Sequence, residues 1–108
     1  MIRVWIAAPT PALRLGLRAL LDDASVNIVG EGAGQPLGVG PDLPTIDVVV
    51  ADSVAISPEL ARLPFVALVP DVAGLRDVSP QSSYAALPLD VDGPTLVAAV
   101  IAVARGLI

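Results

Sequence analysis

The chain contains no cysteine, no histidine and no lysine. Without cysteine there is no disulfide, no thiolate nucleophile and no zinc–thiolate site. Without histidine the commonest general base near neutral pH and the commonest transition-metal ligand are missing. Without lysine no side-chain ammonium is available to neutralise a transferred phosphoryl group. Aromatic residues are scarce too: one Trp, one Tyr and one Phe. Any core must therefore be aliphatic. Charged residues make up only 16%, and eleven acids against six arginines leave a net charge of −5. That balance excludes the clustered cations that hold nucleic acid and opposes attraction to an anionic membrane surface. The longest apolar run, Leu96 to Ala104, has nine residues, against the ~20 that span a bilayer. Met1 to Ile6 enters a strand pattern at once and lacks a signal-peptide layout. The expectation is a soluble, cytoplasmic, non-enzymatic protein with no membrane contact, no cofactor and no metal.

What is present is 55% apolar residue content in 108 residues, enough for one domain. Arg3 to Ala7 reads as a first strand. Thr10 and Pro11 open a helix as N-cap and first-turn residue, with Leu13, Leu17, Leu20 and Leu21 on one face. Arg14 and Arg18 face solvent in this reading, and Arg18 reaches Asp22. Val26 to Glu31 is a second strand, which completes a βαβ unit and predicts a parallel sheet. Gly32 to Pro44 carries four Gly and three Pro in thirteen residues, so a loop replaces the usual crossover helix. Asp47 to Ala51, Phe65 to Val69 and Tyr84 to Leu87 are further strands. Only short or weak helices fit at Ser57 to Arg62 and between Asp71 and Ser83. Asp92 caps a last helix from Gly93 to about Arg105. The fold class is α/β: a flavodoxin-like, five-stranded parallel sheet with helices on both faces and shortened middle helices.

Five stretches carry a resemblance. They are Met1-Ile2-Arg3-Val4-Trp5-Ile6-Ala7, Pro11-Ala12-Leu13-Arg14-Leu15-Gly16-Leu17-Arg18-Ala19-Leu20-Leu21, Ile28-Val29-Gly30-Glu31, Asp47-Val48-Val49-Val50-Ala51-Asp52, and Leu96 to Gly106. In this order they resemble the receiver domain of bacterial response regulators, in particular the LuxR-type transcription factors. The resemblance implies a phosphoacceptor position at Asp52, which ends an apolar strand where parallel sheets bind ligands. It also implies a Mg²⁺-holding acidic pair at Ala8 and Pro9, a hydroxyl at Val69, and a lysine at Leu89 or, in a shifted alignment, Leu87. Those positions are apolar here. Mg²⁺ demands several oxygen ligands, and a phosphoaspartate would add about two uncompensated negative charges. Asp52 then reads as a solvated or hydrogen-bonded strand-end residue. A weak metal site made of Asp52, Asp71 and Asp90 is the lesser reading, since Asp is a common turn former.

The resemblance therefore implies a pseudo-receiver: a phosphorylation-independent regulatory domain spanning residues 1–108, the N-terminal part of a transcription regulator. DNA is contacted only through a further helix-turn-helix domain. The last helix carries no charge from Gly93 to Ala104, and its apolar arc is wider than the ~100° stripe that docks a helix on a sheet. Leu96, Val97, Val100, Ile101 and Ala104 are the candidate homodimer face. The alternatives are a domain that senses a small molecule and, less favoured, phosphorylation of Asp52.

Overall fold

The computed structural model describes residues 1–33, 46–52, 63–70 and 84–106. Five strands form one sheet: β1 (Ile2–Ala7), β2 (Val26–Gly32), β3 (Val48–Asp52), β4 (Phe65–Val69) and β5 (Tyr84–Pro88). They lie in the order β2-β1-β3-β4-β5, and every neighbouring pair is parallel. This is the doubly wound, flavodoxin-like order, which reverses direction between β1 and β3. The expected strands are all present, within a residue of their expected ends. The loop expected from Gly32 starts later, since Gly32 is the last residue of β2; its stretch over 34–44 and the short helices expected at 57–62 and within 71–83 lie outside the described residues.

The core follows from the strand sequences. β3 reads Val-Val-Val-Ala-Asp and β4 Phe-Val-Ala-Leu-Val, and every apolar residue in both is buried. Continuous burial of β-branched residues on both faces is the signature of central parallel strands. Val4, Ile6, Val48, Val50, Val66 and Leu68 line one face. Ala7, Val49, Ala51, Phe65, Ala67 and Val69 line the other. Across the β4–β5 pair, Phe65 stacks on Tyr84 with ring centroids 5.5 Å apart, a contact worth roughly 1 kcal/mol. Both described helices, α1 (Pro11–Leu20) and α2 (Gly93–Ala104), pack on the first face. The segments expected to cover the second lie outside the described residues. Among the described residues, no helix is long and apolar enough to cross a membrane.

The helix ends are as the sequence implies. The Thr10 hydroxyl accepts from the Leu13 amide at 3.3 Å, and the Asp92 carboxylate accepts from the Thr95 amide at 2.9 Å. Each caps the orphan amides of a first turn that begins with proline or its neighbour. Gly106, at φ 70°, closes α2 in the left-handed conformation that glycine tolerates best.

Three side chains depart from their expected places. Arg18 pairs with Glu31 on β2 at 3.0 Å, not with Asp22, because the strand beside α1 offers a carboxylate across the helix–sheet gap. Arg14 bends back to donate to the Ala8 carbonyl at 2.8 Å and is partly buried, not solvent-facing. Leu13, expected with Leu17 on the buried face, remains 44% exposed. It sits in the first turn of α1, beside the rim of the sheet, where less core reaches it.

Two local devices hold the register. Arg3 and Asp47 clamp the start of β1 to the residue before β3. The Arg3 amide donates to Asp47 Oδ2 at 2.8 Å and its guanidinium does so at 3.3 Å. The Asp47 amide donates back to the Arg3 carbonyl at 2.8 Å. The second device is a bulge. Val4 pairs with Ile28 but Trp5 pairs with Gly30, so Val29 is the extra residue. The Trp5 ring lies over Gly30, and a Cβ there would meet its Cζ3 and Cε3, the latter at 2.7 Å.

Gly30→Ala should therefore cost about 1–3 kcal/mol by overpacking and shift Trp5 emission to the red, read by urea denaturation followed through fluorescence. The carboxyls of Asp47 and Asp92 are both held below their ordinary value of 3.8, by the Arg3 amide and by Thr95 respectively. With folded-state values depressed, their stabilisation is present above pH 3.8 and is lost as pH falls through the folded-state values. Denaturation midpoints should fall on acidification through that window. Asp47→Asn should cost about 0.5–1 kcal/mol at neutral pH, a partly exposed hydrogen-bonded charge, and flatten that acid fall.

Candidate functional site

In doubly wound sheets the ligand crevice lies beyond the carboxyl ends of the strands, at the point where strand order reverses. Here that point is the end of β1 and β3, where Ala8 and Asp52 sit. Asp52 is half-buried at the last position of β3, and its Cα pairs with Leu68. The period-two alternation of β3 puts it on the same face as Val48 and Val50, the face covered by α1. A cavity of about 610 Å³ opens there. Leu13 and Leu17 of α1, Leu68 of β4, Leu89 after β5 and Asp52 at the end of β3 are among the residues that line it.

The other positions singled out in the sequence fall in different surroundings. Ala8 is fully buried; its amide donates to the Gly32 carbonyl at 2.9 Å and its own carbonyl accepts from Arg14. The end of β1 thus carries a fixed guanidinium. Pro9 is exposed. Val69 is buried on the opposite face of the sheet, among Val49, Phe65 and Ala67. Leu68, not Val69, is the β4 residue that shares the cavity with Asp52. Leu89 is 53% exposed and lines the same cavity, whereas Leu87 packs against the core. Among the described residues, no group of three acidic side chains comes together to hold a metal. Asp71 lies outside them.

The candidate dimer face divides. Leu96 and Val100 are wholly enclosed in their own chain and Val97 is 8% exposed. These three belong to the monomer core, because the Leu96–Val100 side of α2 is the one that meets the sheet. Ile101 and Ala104 are half-buried at its margin. The apolar surface that α2 leaves to solvent runs through Ala98, which is exposed beside Ile101 and Pro94. Two residues escaped the sequence reading: Leu68, because apolar strand residues look alike, and Gly16, whose place on the cavity wall depends on the tilt of α1.

No protein-family model and no curated protein matches the chain. Among solved structures, the chain is similar to the response regulator ChrA of a heme-sensing two-component system, with a TM-score of 0.72 and 25% sequence identity. The match covers 97% of this chain and 57% of that one. Together with the strand order, this makes the chain a receiver-like domain of the response-regulator kind.

Proposed function

We propose that this receiver-like domain is a non-catalytic regulatory module of a LuxR-type transcription regulator and works without phosphorylation of Asp52. The observation that carries the reading is what surrounds that carboxylate. Leu68 and Leu89 share its cavity, and Ala8 and Pro9 stand at the end of β1. Phosphoryl transfer to a carboxylate requires a metal to bridge the incoming group and a cation to balance it. Among the described residues, Asp52 is the one acidic residue on the wall of that cavity, and the chain has no lysine. The chain spans just over half the length of the solved response regulator that it resembles. DNA contact is assigned to a further helix-turn-helix domain of the whole regulator.

Signalling then runs through association of two copies. The uncharged outer surface of α2 around Ala98, Ile101 and Ala104 supports this, since apolar surface without charge is characteristic of homodimer contacts. The mechanism is a shift in the monomer–dimer balance that sets the spacing of the attached DNA-binding domains.

Treatment with acetyl phosphate or beryllofluoride plus Mg²⁺ should leave the intact mass of the protein and its Trp5 fluorescence unchanged. A stable Mg²⁺-dependent adduct on Asp52 would overturn the reading. Light scattering should report a dimer that Ala98→Glu converts to monomer. Ala98 is a cleaner site for that change than Ile101, which also packs on the core. A chain that is monomeric at high concentration, with or without the substitution, would refute the interface.

A further inference from the structure

Three concavities differ sharply in chemistry. One of about 500 Å³ is bordered by Arg18, Asp22, Asp23 and Asn27, and one of about 520 Å³ by Asp22 and Asp23 beside α2. Both are grooves edged by surface charge. Among the described residues, the cavity of about 610 Å³ above β3 is lined by Ala, Gly and Leu side chains and by one acidic residue, Asp52. Its volume lies in the range of small-molecule sites, which combine apolar walls with a few placed polar groups.

We infer that this cavity binds a small cationic amphiphile: an alkyl or arylalkyl amine whose ammonium meets Asp52 and whose hydrocarbon lies along α1. The inference rests on the reading of Asp52 as unphosphorylated. The hydrocarbon part follows from the wall. Leu13, Gly16, Leu17 and Leu20 stand at positions i, i+3, i+4 and i+7 of α1, the spacing of a single helix face. Leu17 is buried in the core, but Leu13 keeps 44% of its surface exposed and Leu89, also on the wall, keeps 53%. An occupant covers that remaining apolar surface.

Gly16 keeps the wall open. Among the described residues, no atom lies within 4 Å of where its Cβ would be. Glycine is the least favourable helix-interior residue after proline, and no contact in the described fold requires it here. Leu89 stands on the cavity wall, a position where the resemblance implies a cationic side chain.

The charge part follows from Asp52. A carboxylate presents about four acceptor positions, so it accommodates an ammonium beside a partner it already has. The chain has no lysine to occupy that role. In a cavity of low polarity an ammonium–carboxylate pair is strong, and a net charge of −5 favours the approach of cations. The same carboxylate repels a carboxylate or phosphate ligand. An uncharged amphiphile gains the hydrocarbon contacts alone.

The test is a titration of the ¹⁵N-labelled full chain with n-octylamine, n-octanol and octanoate, followed by amide resonances. Octylammonium should give saturable shifts centred on Leu13, Asp52 and Leu89. Octanol should bind about tenfold or more weakly, and octanoate should give no saturable shift. Asp52→Asn should weaken octylammonium to the level of octanol and leave octanol unchanged. Gly16→Leu should abolish binding of both while its melting temperature stays at or above that of the parent, which shows an intact fold. Shifts confined to other surfaces, equal binding of octanol and octylammonium, or an Asp52→Asn variant that binds as tightly as the parent would each overturn the inference. An adduct with beryllofluoride would instead overturn the phosphorylation-independent reading, so the two failures are separable.

Discussion

The structure depends on one constraint: β3 and β4, with the second half of β1, run through an interior that holds only apolar side chains. No polar or charged side chain is buried among the described residues. Backbone groups in such an interior have no water and no side chain to pair with, so the parallel ladder must satisfy them. Its register is therefore tightly held, by the Arg3–Asp47 clamp on one side of β1 and by the bulge at Val29 on the other. Polar function is pushed to the strand ends. That is why the one acidic side chain of the three central strands appears at the last residue of β3.

At that rim the same aliphatic composition has consequences for chemistry. The resemblance to receivers implies a metal-holding pair at Ala8 and Pro9, a hydroxyl at Val69 and a lysine at Leu89. Two of them, Ala8 and Val69, have been absorbed into the core. The guanidinium of Arg14 is held at the Ala8 carbonyl. What is left is a carboxylate in a hydrocarbon-walled cavity. A site of that composition suits recognition of a ligand's cation better than transfer of a phosphoryl group.

Much of this was legible in the sequence, and the limits have physical causes. Strands with continuous Val, Ile and Ala and helices opened by Thr10-Pro11 and by Asp92 were readable because burial and capping act over a few residues. The partner of Arg18 was misread because i,i+4 spacing reports on one helix alone, and Glu31 lies on another element. The bulge at Val29 was invisible, since it arises from the fit of the Trp5 ring over Gly30. The apolar arc of α2 is real, but most of it serves the core. Leu96, Val97 and Val100 face the sheet, and a wheel drawn on an almost wholly apolar helix has little contrast with which to separate inner from outer faces. Asp52 was recognised from its strand, whereas its cavity depends on α1 and the β5–α2 connection meeting above it.

The central claim is that the carboxyl end of this sheet no longer holds the metal that phosphoryl chemistry needs. It is tested most directly by titrating the ¹⁵N-labelled protein with Mg²⁺ into the millimolar range and following the amides of Ala8, Asp52, Leu68 and Leu89. The account predicts no saturable shift at these residues, because among the described residues no group of three acidic side chains comes together there. Saturable, localised shifts at Ala8 and Asp52 would contradict it.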